Sequence, residues 1–153
     1  DTASKGERED ASGAAVEEIV GKEGYEVVFK KIIPDDGDTL TALLCELSDE
    51  DKADLILTTG GTGFSKRDNT PEATMRAVER ETPGISEAMR YYSLQITPRA
   101  MLSRGVSGIR KEALIVNLPG SPKAVRECLE YAIGALTHGI DILKGNTGHC
   151  AGK

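Results

Sequence analysis

Helix-spaced apolar residues alternate along this chain with short, nearly unbroken apolar runs. Ala15, Val16, Ile19 and Val20 mark one face of a helix predicted over Ala11 to Lys22, which Gly21 and Gly24 bring to an end. Tyr25 to Ile33 is β-branched and aromatic enough to predict a strand, and it runs into the turn Pro34-Asp35-Asp36-Gly37. Asp38 is the expected N-cap of the next helix, which reaches about Leu47 with Leu40, Leu43, Leu44 and Leu47 facing inward. Leu55, Ile56 and Leu57 form a buried strand that breaks into Gly60-Gly61-Thr62-Gly63. After a polar loop with Lys66, Arg67 and Asp68, Thr70-Pro71 reads as a helix start.

That helix is predicted to reach about Arg80, with Pro83-Gly84 interrupting it before a second piece from about Ile85 to Leu94. Pro98 closes the segment. Val106 to Arg110 and Ala113 to Leu118 predict two strands joined by a tight turn, an antiparallel pair at one side of the sheet. Leu118-Pro119-Gly120-Ser121-Pro122 repeats the sequence of strand, glycine loop and capped helix, and the last helix runs from about Pro122 to Leu143. The expected domain covers 1–144, and the glycine-rich tail 145–153 is expected to fray.

This alternation predicts an α/β fold, a three-layer sandwich with a mostly parallel sheet between helices on both faces and one antiparallel strand pair. Ligands in such sheets bind beyond the carboxyl ends of strands, which gathers the loops 34–38, 60–68 and 119–122 at one edge. A doubly wound domain normally has a strand before its first helix, whereas this chain starts in a polar loop. The first strand of the fold is therefore expected to be missing from the chain: it lies upstream, or the sheet is one strand short.

Composition narrows the function. The chain has 153 residues and a net charge of −6, which argues against a general nucleic-acid binder. It has no apolar stretch approaching the ~20 residues that a membrane helix needs and no signal-peptide pattern, so a cytoplasmic protein is expected. Cys45, Cys128 and Cys150 are far apart and without a CxxC, which favours reduced thiols. His138 and His149 alone make no histidine-rich metal centre. Basic residues such as Lys66, Arg67, Arg104 and Lys123 stand beside the loops, so a small anionic ligand remains open to this acidic chain.

The glycine loop lacks the GK[ST] ending of a P-loop, and Lys66 stands where a dinucleotide fingerprint has its third glycine. Two glycine loops, each leading into a proline-started helix, nevertheless suit phosphate groups, because glycine lets backbone N–H groups approach closely and helix N-termini are positive. Asp68 and Asp35 lie in these loops, and magnesium between such carboxylates and phosphates would relieve their repulsion. The alternatives are a turn-forming role for Asp35 and a helix-preceding cap for Asp68. Ser93, Ser103 and Ser121 lack a G-x-S-x-G elbow. The Asn117 amide could bond a heterocycle or cap the turn.

Together with Ser93 to Val125 (SLQITPRAMLSRGVSGIRKEALIVNLPGSPKAV) and the opening DTASKGEREDASG, the stretch TTGGTGFSKRDNTPEAT resembles the molybdopterin adenylyltransferase family. That family includes bacterial enzymes of molybdenum-cofactor synthesis and the plant and gephyrin G domains. The resemblance runs from Asp1 to about Lys144. It implies a homotrimer that transfers AMP from ATP to the terminal phosphate of molybdopterin and releases pyrophosphate with Mg2+ present. By motif, Asp35 and Asp68 match the catalytic, metal-associated carboxylates, and Gly60, Gly61, Thr62 and Gly63 the nucleotide loop. Gly120 and Ser121 would lie close to a phosphate, and Thr2, Ser4, Ser93 and Asn117 match pterin contacts. A molybdenum-insertion domain or protein would act downstream. The competing expectations are a non-catalytic molybdopterin-binding or scaffolding trimer, favoured less by the presence of both aspartates, and molybdate insertion, which the DTAS opening and the RD pair match less well.

Overall fold

The computed structural model describes residues 10–146. The expectations for Thr2, Ser4 and the tail beyond 146 concern residues outside that range. Helix α1, Ala11–Lys22, has the predicted bounds and is capped by Asp10, whose carboxylate accepts the Gly13 N–H at 3.0 Å. Helix α5, Pro122–Leu143, also has its predicted bounds and is capped by the Ser121 hydroxyl, which accepts the Ala124 N–H. Helix α2, Gly37–Asp49, is capped by Asp36 and not by Asp38. The Asp36 carboxylate accepts both the Asp38 N–H and the Thr39 hydroxyl, and the Thr39 bond leads in holding that carboxyl below the usual range.

A four-stranded sheet has the order β1 (Leu55–Thr59), β4 (Ala113–Leu118), β3 (Ser107–Arg110) and β2 (Arg80–Glu81). The β1–β4 pair is parallel, and β4–β3 and β3–β2 are antiparallel. The sheet is thus mixed, and among the described residues parallel pairing is confined to the side that carries the glycine loops. The antiparallel pair was expected at one side, yet β4 is central and buried along its whole length. Its alternate residues divide the core. Leu114, Val116 and Leu118 pack with α1, α5 and α4 (Pro83–Leu94), while Ala113 and Ile115 pack with α2 and α3 (Thr70–Ala77). These are the layers expected from the alternation of elements.

Local differences have physical causes. Residues 25–33 form neither helix nor strand among the described residues. Tyr25 packs on the α1–α5 side and Ile33 on the α2–α3 side, so the segment passes from one layer to the other, and Val27, Val28, Phe29 and Ile32 remain exposed. β-branched composition makes a ladder only where a neighbouring strand supplies partners. Helix α3 stops at Ala77, and Arg80 and Glu81 join the sheet beside β3. Pro83-Gly84 interrupts nothing: Pro83 is the first residue of α4, where its missing N–H goes unneeded.

Gly108 fixes how closely α3 approaches β3. A Cβ there would stand 2.7 Å from Cβ and Cγ1 of Val78 and 2.8 Å from the Arg80 carbonyl. Gly108→Ala is expected to lower stability by about 1–3 kcal/mol through overpacking. Urea unfolding checks this, with a lower midpoint at an unchanged slope. Among the described residues no helix is long and apolar enough to cross a membrane.

Candidate active site

The parallel strands β1 and β4 end side by side, so the loops that follow them meet. A Cβ on Gly120 would come within 3.4 Å of the Gly60 Cα, and the Gly60 N–H donates to the Leu118 carbonyl. Gly60 and Gly61 have φ of +84° and +70°, conformations that side chains on L-residues resist. Each loop is anchored from outside through a carbonyl: Ser12 of α1 donates to Gly120, and the Thr70 N–H donates to Gly61.

Asp68 is not a helix cap. Helix α3 begins directly after Asn69, its N-cap, and one Asp68 carboxylate oxygen accepts the Ser65 N–H at 2.9 Å instead. That oxygen would stand 2.9 Å from a Cβ placed on Gly63, so the carboxylate lies over the Gly63 backbone. Asp35 occupies the neighbouring turn, with Arg67 Nε 3.9 Å from its Oδ2. Gly37, at the end of that turn, lies against Asn69. The turns bearing Asp35 and Asp68 therefore pack together at one edge of the molecule.

A cavity of about 550 Å3 opens beside Thr62 and Gly63 of the glycine loop. Thr62, Gly63, Ser93, Asn117 and Ser121 line it, so residues expected from sequence at two different ligands share its wall. Arg90, Arg99 and Lys123 also line it against a single acid, Glu127, which suits an anionic ligand. Asp35, Asp68, Gly60, Gly61 and Gly120 lie outside this lining. Ser93 Oγ is 3.3 Å from Cys128 Sγ, and burial pushes the Cys128 thiol up, which keeps it protonated and unsuited to act as a nucleophile.

Asn117 is 3 % exposed and spends its amide inside the protein. Its Nδ2 donates to Thr58 and Thr74 at 3.0 and 2.9 Å, and its Oδ1 accepts the Val106 N–H at 3.0 Å. Of the two roles open from sequence, the internal one accounts for every one of these bonds and leaves no amide hydrogen for a ligand. Asn117→Ala is expected to cost about 3 kcal/mol, because it leaves the buried Thr74 and the partly buried Thr58 and Val106 N–H without their partner. Thermal unfolding with and without ligand checks this.

Among the described residues no group of three or more His, Cys, Asp or Glu side chains could hold a metal ion. The donor chemistry of Asp35 and Asp68 still fits magnesium, which takes one or two carboxylates and completes its shell with phosphate oxygens and water. Sequence reasoning passed over Arg90 and named Arg104 only as one of several basic residues beside the loops. Arg90 lines the cavity, and Arg104 bonds the glycine loop through its own N–H and its guanidinium.

The family described as "Probable molybdopterin binding domain" matches residues 1–138. A protein of Helicobacter pylori (strain ATCC 700392 / 26695) named molybdopterin adenylyltransferase is 43% identical over 148 residues, which are 95% of this chain and 84% of that protein. Its namesake in Escherichia coli (strain K12) is 50% identical over 114 residues, 72% of this chain and 58% of that protein. Among solved structures, the molybdopterin biosynthesis enzyme MoaB of Thermus thermophilus superposes with a TM-score of 0.88 at 43% identity, covering 95% of this chain and 91% of its own.

Proposed function

This chain belongs to the molybdopterin-binding domain family, and from that premise we propose that it is a molybdopterin adenylyltransferase, transferring AMP from ATP to the terminal phosphate of molybdopterin with release of pyrophosphate. The observation that carries the proposal is the position of Gly63, which lines the cavity and also lies against the Asp68 carboxylate. A pterin phosphate in the cavity and a triphosphate on the glycine loop would then meet beside Gly63.

The molybdopterin phosphate is already a nucleophile at neutral pH, so the reaction requires no general base. One of its oxygens attacks the α-phosphorus of ATP, and the bond to the β-phosphate oxygen breaks with its electrons leaving on pyrophosphate. The protein has to align the two phosphates and receive charge. Backbone N–H groups of 61–63 serve the nucleotide, the Gly60 N–H being engaged by the Leu118 carbonyl, and Arg90, Arg99 and Lys123 hold the anionic pterin. Mg2+ held by Asp35 and Asp68 would offset the phosphate charge as pyrophosphate departs.

The same reading includes a homotrimer, a cytoplasmic setting and delivery of the adenylylated product to a molybdenum-insertion protein or domain. Tyr91, Leu94, Ile96, Met101, Leu102 and Tyr131 leave apolar surface exposed on α4, the following turn and α5, a face suited to subunit contact. Cys45 and Cys128 are free thiols, in keeping with a reducing compartment.

The test is direct. With ATP, Mg2+ and molybdopterin, the protein should release pyrophosphate and form adenylylated molybdopterin detectable by mass, and omission of Mg2+ should stop both. Molybdopterin binding without pyrophosphate release would instead assign the chain to the non-catalytic class.

A further inference from the structure

We propose that Arg104 is the positioning residue of the transfer site, a clamp that sets the glycine loop and Asp68 against the cavity wall; the role in transfer rests on the adenylylation reading, the clamp itself does not. Arg104 follows the turn Pro98–Leu102, next to the cavity-lining Leu102 and Ser103. Its backbone N–H donates to the Thr62 carbonyl at 2.8 Å. Its guanidinium donates from Nε to the Gly63 carbonyl at 2.8 Å, from Nη2 to the Asp68 carbonyl at 2.7 Å, and from Nη1 to Glu72 at 2.5 Å. The bond from Arg104 leads in holding the Glu72 carboxyl below its usual range, which keeps the pair charged.

No helix or strand spans 60–69, so nothing regular fixes these carbonyls. The Gly63 and Asp68 carbonyls bracket the segment that carries the Asp68 carboxylate, and one rigid planar group ties both. Lysine offers a point charge on a flexible stem and cannot reproduce that fork. Arg104 is itself held. Arg90 Nη1 donates to the carbonyls of Ser103 and Gly105, one on each side of it, at 3.1 and 3.0 Å. Arg90 lines the cavity, so its hydrogen bonds to the backbone at 103 and 105, and those of the Arg104 that this backbone carries, join the cavity wall to the loop bearing Asp68. Arg104 acts on the reaction through that loop.

The experiment compares Arg104→Lys, Arg104→Ala and Glu72→Gln with the unaltered protein in AMP transfer, molybdopterin binding and amide hydrogen exchange. A displacement of about 1 Å at a reacting group costs about a hundredfold. Arg104→Lys is therefore expected to lower kcat by about that factor and to speed exchange of amides 60–68 about tenfold, with molybdopterin Kd within about twofold and exchange in α5 unchanged. Added guanidinium ion should restore part of the Arg104→Ala activity, and Glu72→Gln should stay within about threefold because one exposed ion pair is worth little.

Unaltered loop exchange in Arg104→Lys, or equal losses in Arg104→Lys and Glu72→Gln, would overturn the clamp. Absence of AMP transfer by the unaltered protein would sink the adenylylation reading alone, since hydrogen exchange still decides whether Arg104 holds the loop.

Discussion

Asp68→Asn is expected to lower AMP transfer on the order of 10²–10³-fold while the fold and molybdopterin binding persist. The substitution isolates charge from shape. Asn keeps an oxygen that can accept the Ser65 N–H, now 2.9 Å from the carboxylate, so the turn over Gly63 survives. Asp68 caps no helix, so α3 loses nothing. It lies outside the cavity lining, so pterin affinity should not follow the rate. What disappears is the negative charge that would hold a divalent ion beside the phosphates.

Asp35→Asn should act in the same direction, and the double variant should be little worse than Asp68→Asn, because groups that serve one ion do not add. Pyrophosphate release gives the rate, fluorescence titration gives pterin binding, and a melting curve checks the fold. An Asp68→Asn protein turning over at the unaltered rate would remove this carboxylate from the chemistry.

The parts of the molecule legible in the sequence are those whose signal is local. Helices α1 and α5 begin and end where periodicity and their caps indicate, because one face of each meets a core built from the same pattern. That the two glycine loops follow buried strands was also readable, since the apolar runs of β1 and β4 each stop at a glycine turn. The rest depends on distant partners. Residues 25–33 have strand composition but no ladder among the described residues. Asp36 and Asp38 both offer a carboxylate at the start of α2, and the Thr39 hydroxyl joins the one that caps it.

Asn117 shows the same limit, because its amide partners Thr58 and Thr74 lie 59 and 43 residues away in the chain. Arg104 reaches carbonyls 41 and 36 residues away, and nothing in its own neighbourhood announces that. A role made by closure of two loops has no local signature.

Gly60 and Gly61 are both left-handed and adjacent, yet alanine should treat them very differently. At Gly60, with φ of +84°, the nearest atom to an added Cβ is the Gly120 Cα at 3.8 Å, an ordinary contact. Gly60→Ala should therefore cost only the backbone strain, about 1–2 kcal/mol. At Gly61, with φ of +70°, the same Cβ would stand 2.2 Å from Thr70 Oγ1 and 3.1 Å from its Cβ. Thr70 cannot withdraw easily, because it is buried, opens α3 and donates its N–H to the Gly61 carbonyl. The loop must move instead, and it carries the N–H groups proposed to meet the triphosphate.

Gly61→Ala should thus lower AMP transfer about a hundredfold, the scale of a displaced reacting group, with Gly60→Ala within about tenfold of the unaltered rate. Thr70→Ala added to Gly61→Ala removes the hydroxyl in the way and should recover part of the loss, while the strained φ remains. KM for ATP measured across the three variants checks the order. Equal tolerance of alanine at both positions would mean that the spacing between this turn and α3 plays no part in seating the nucleotide.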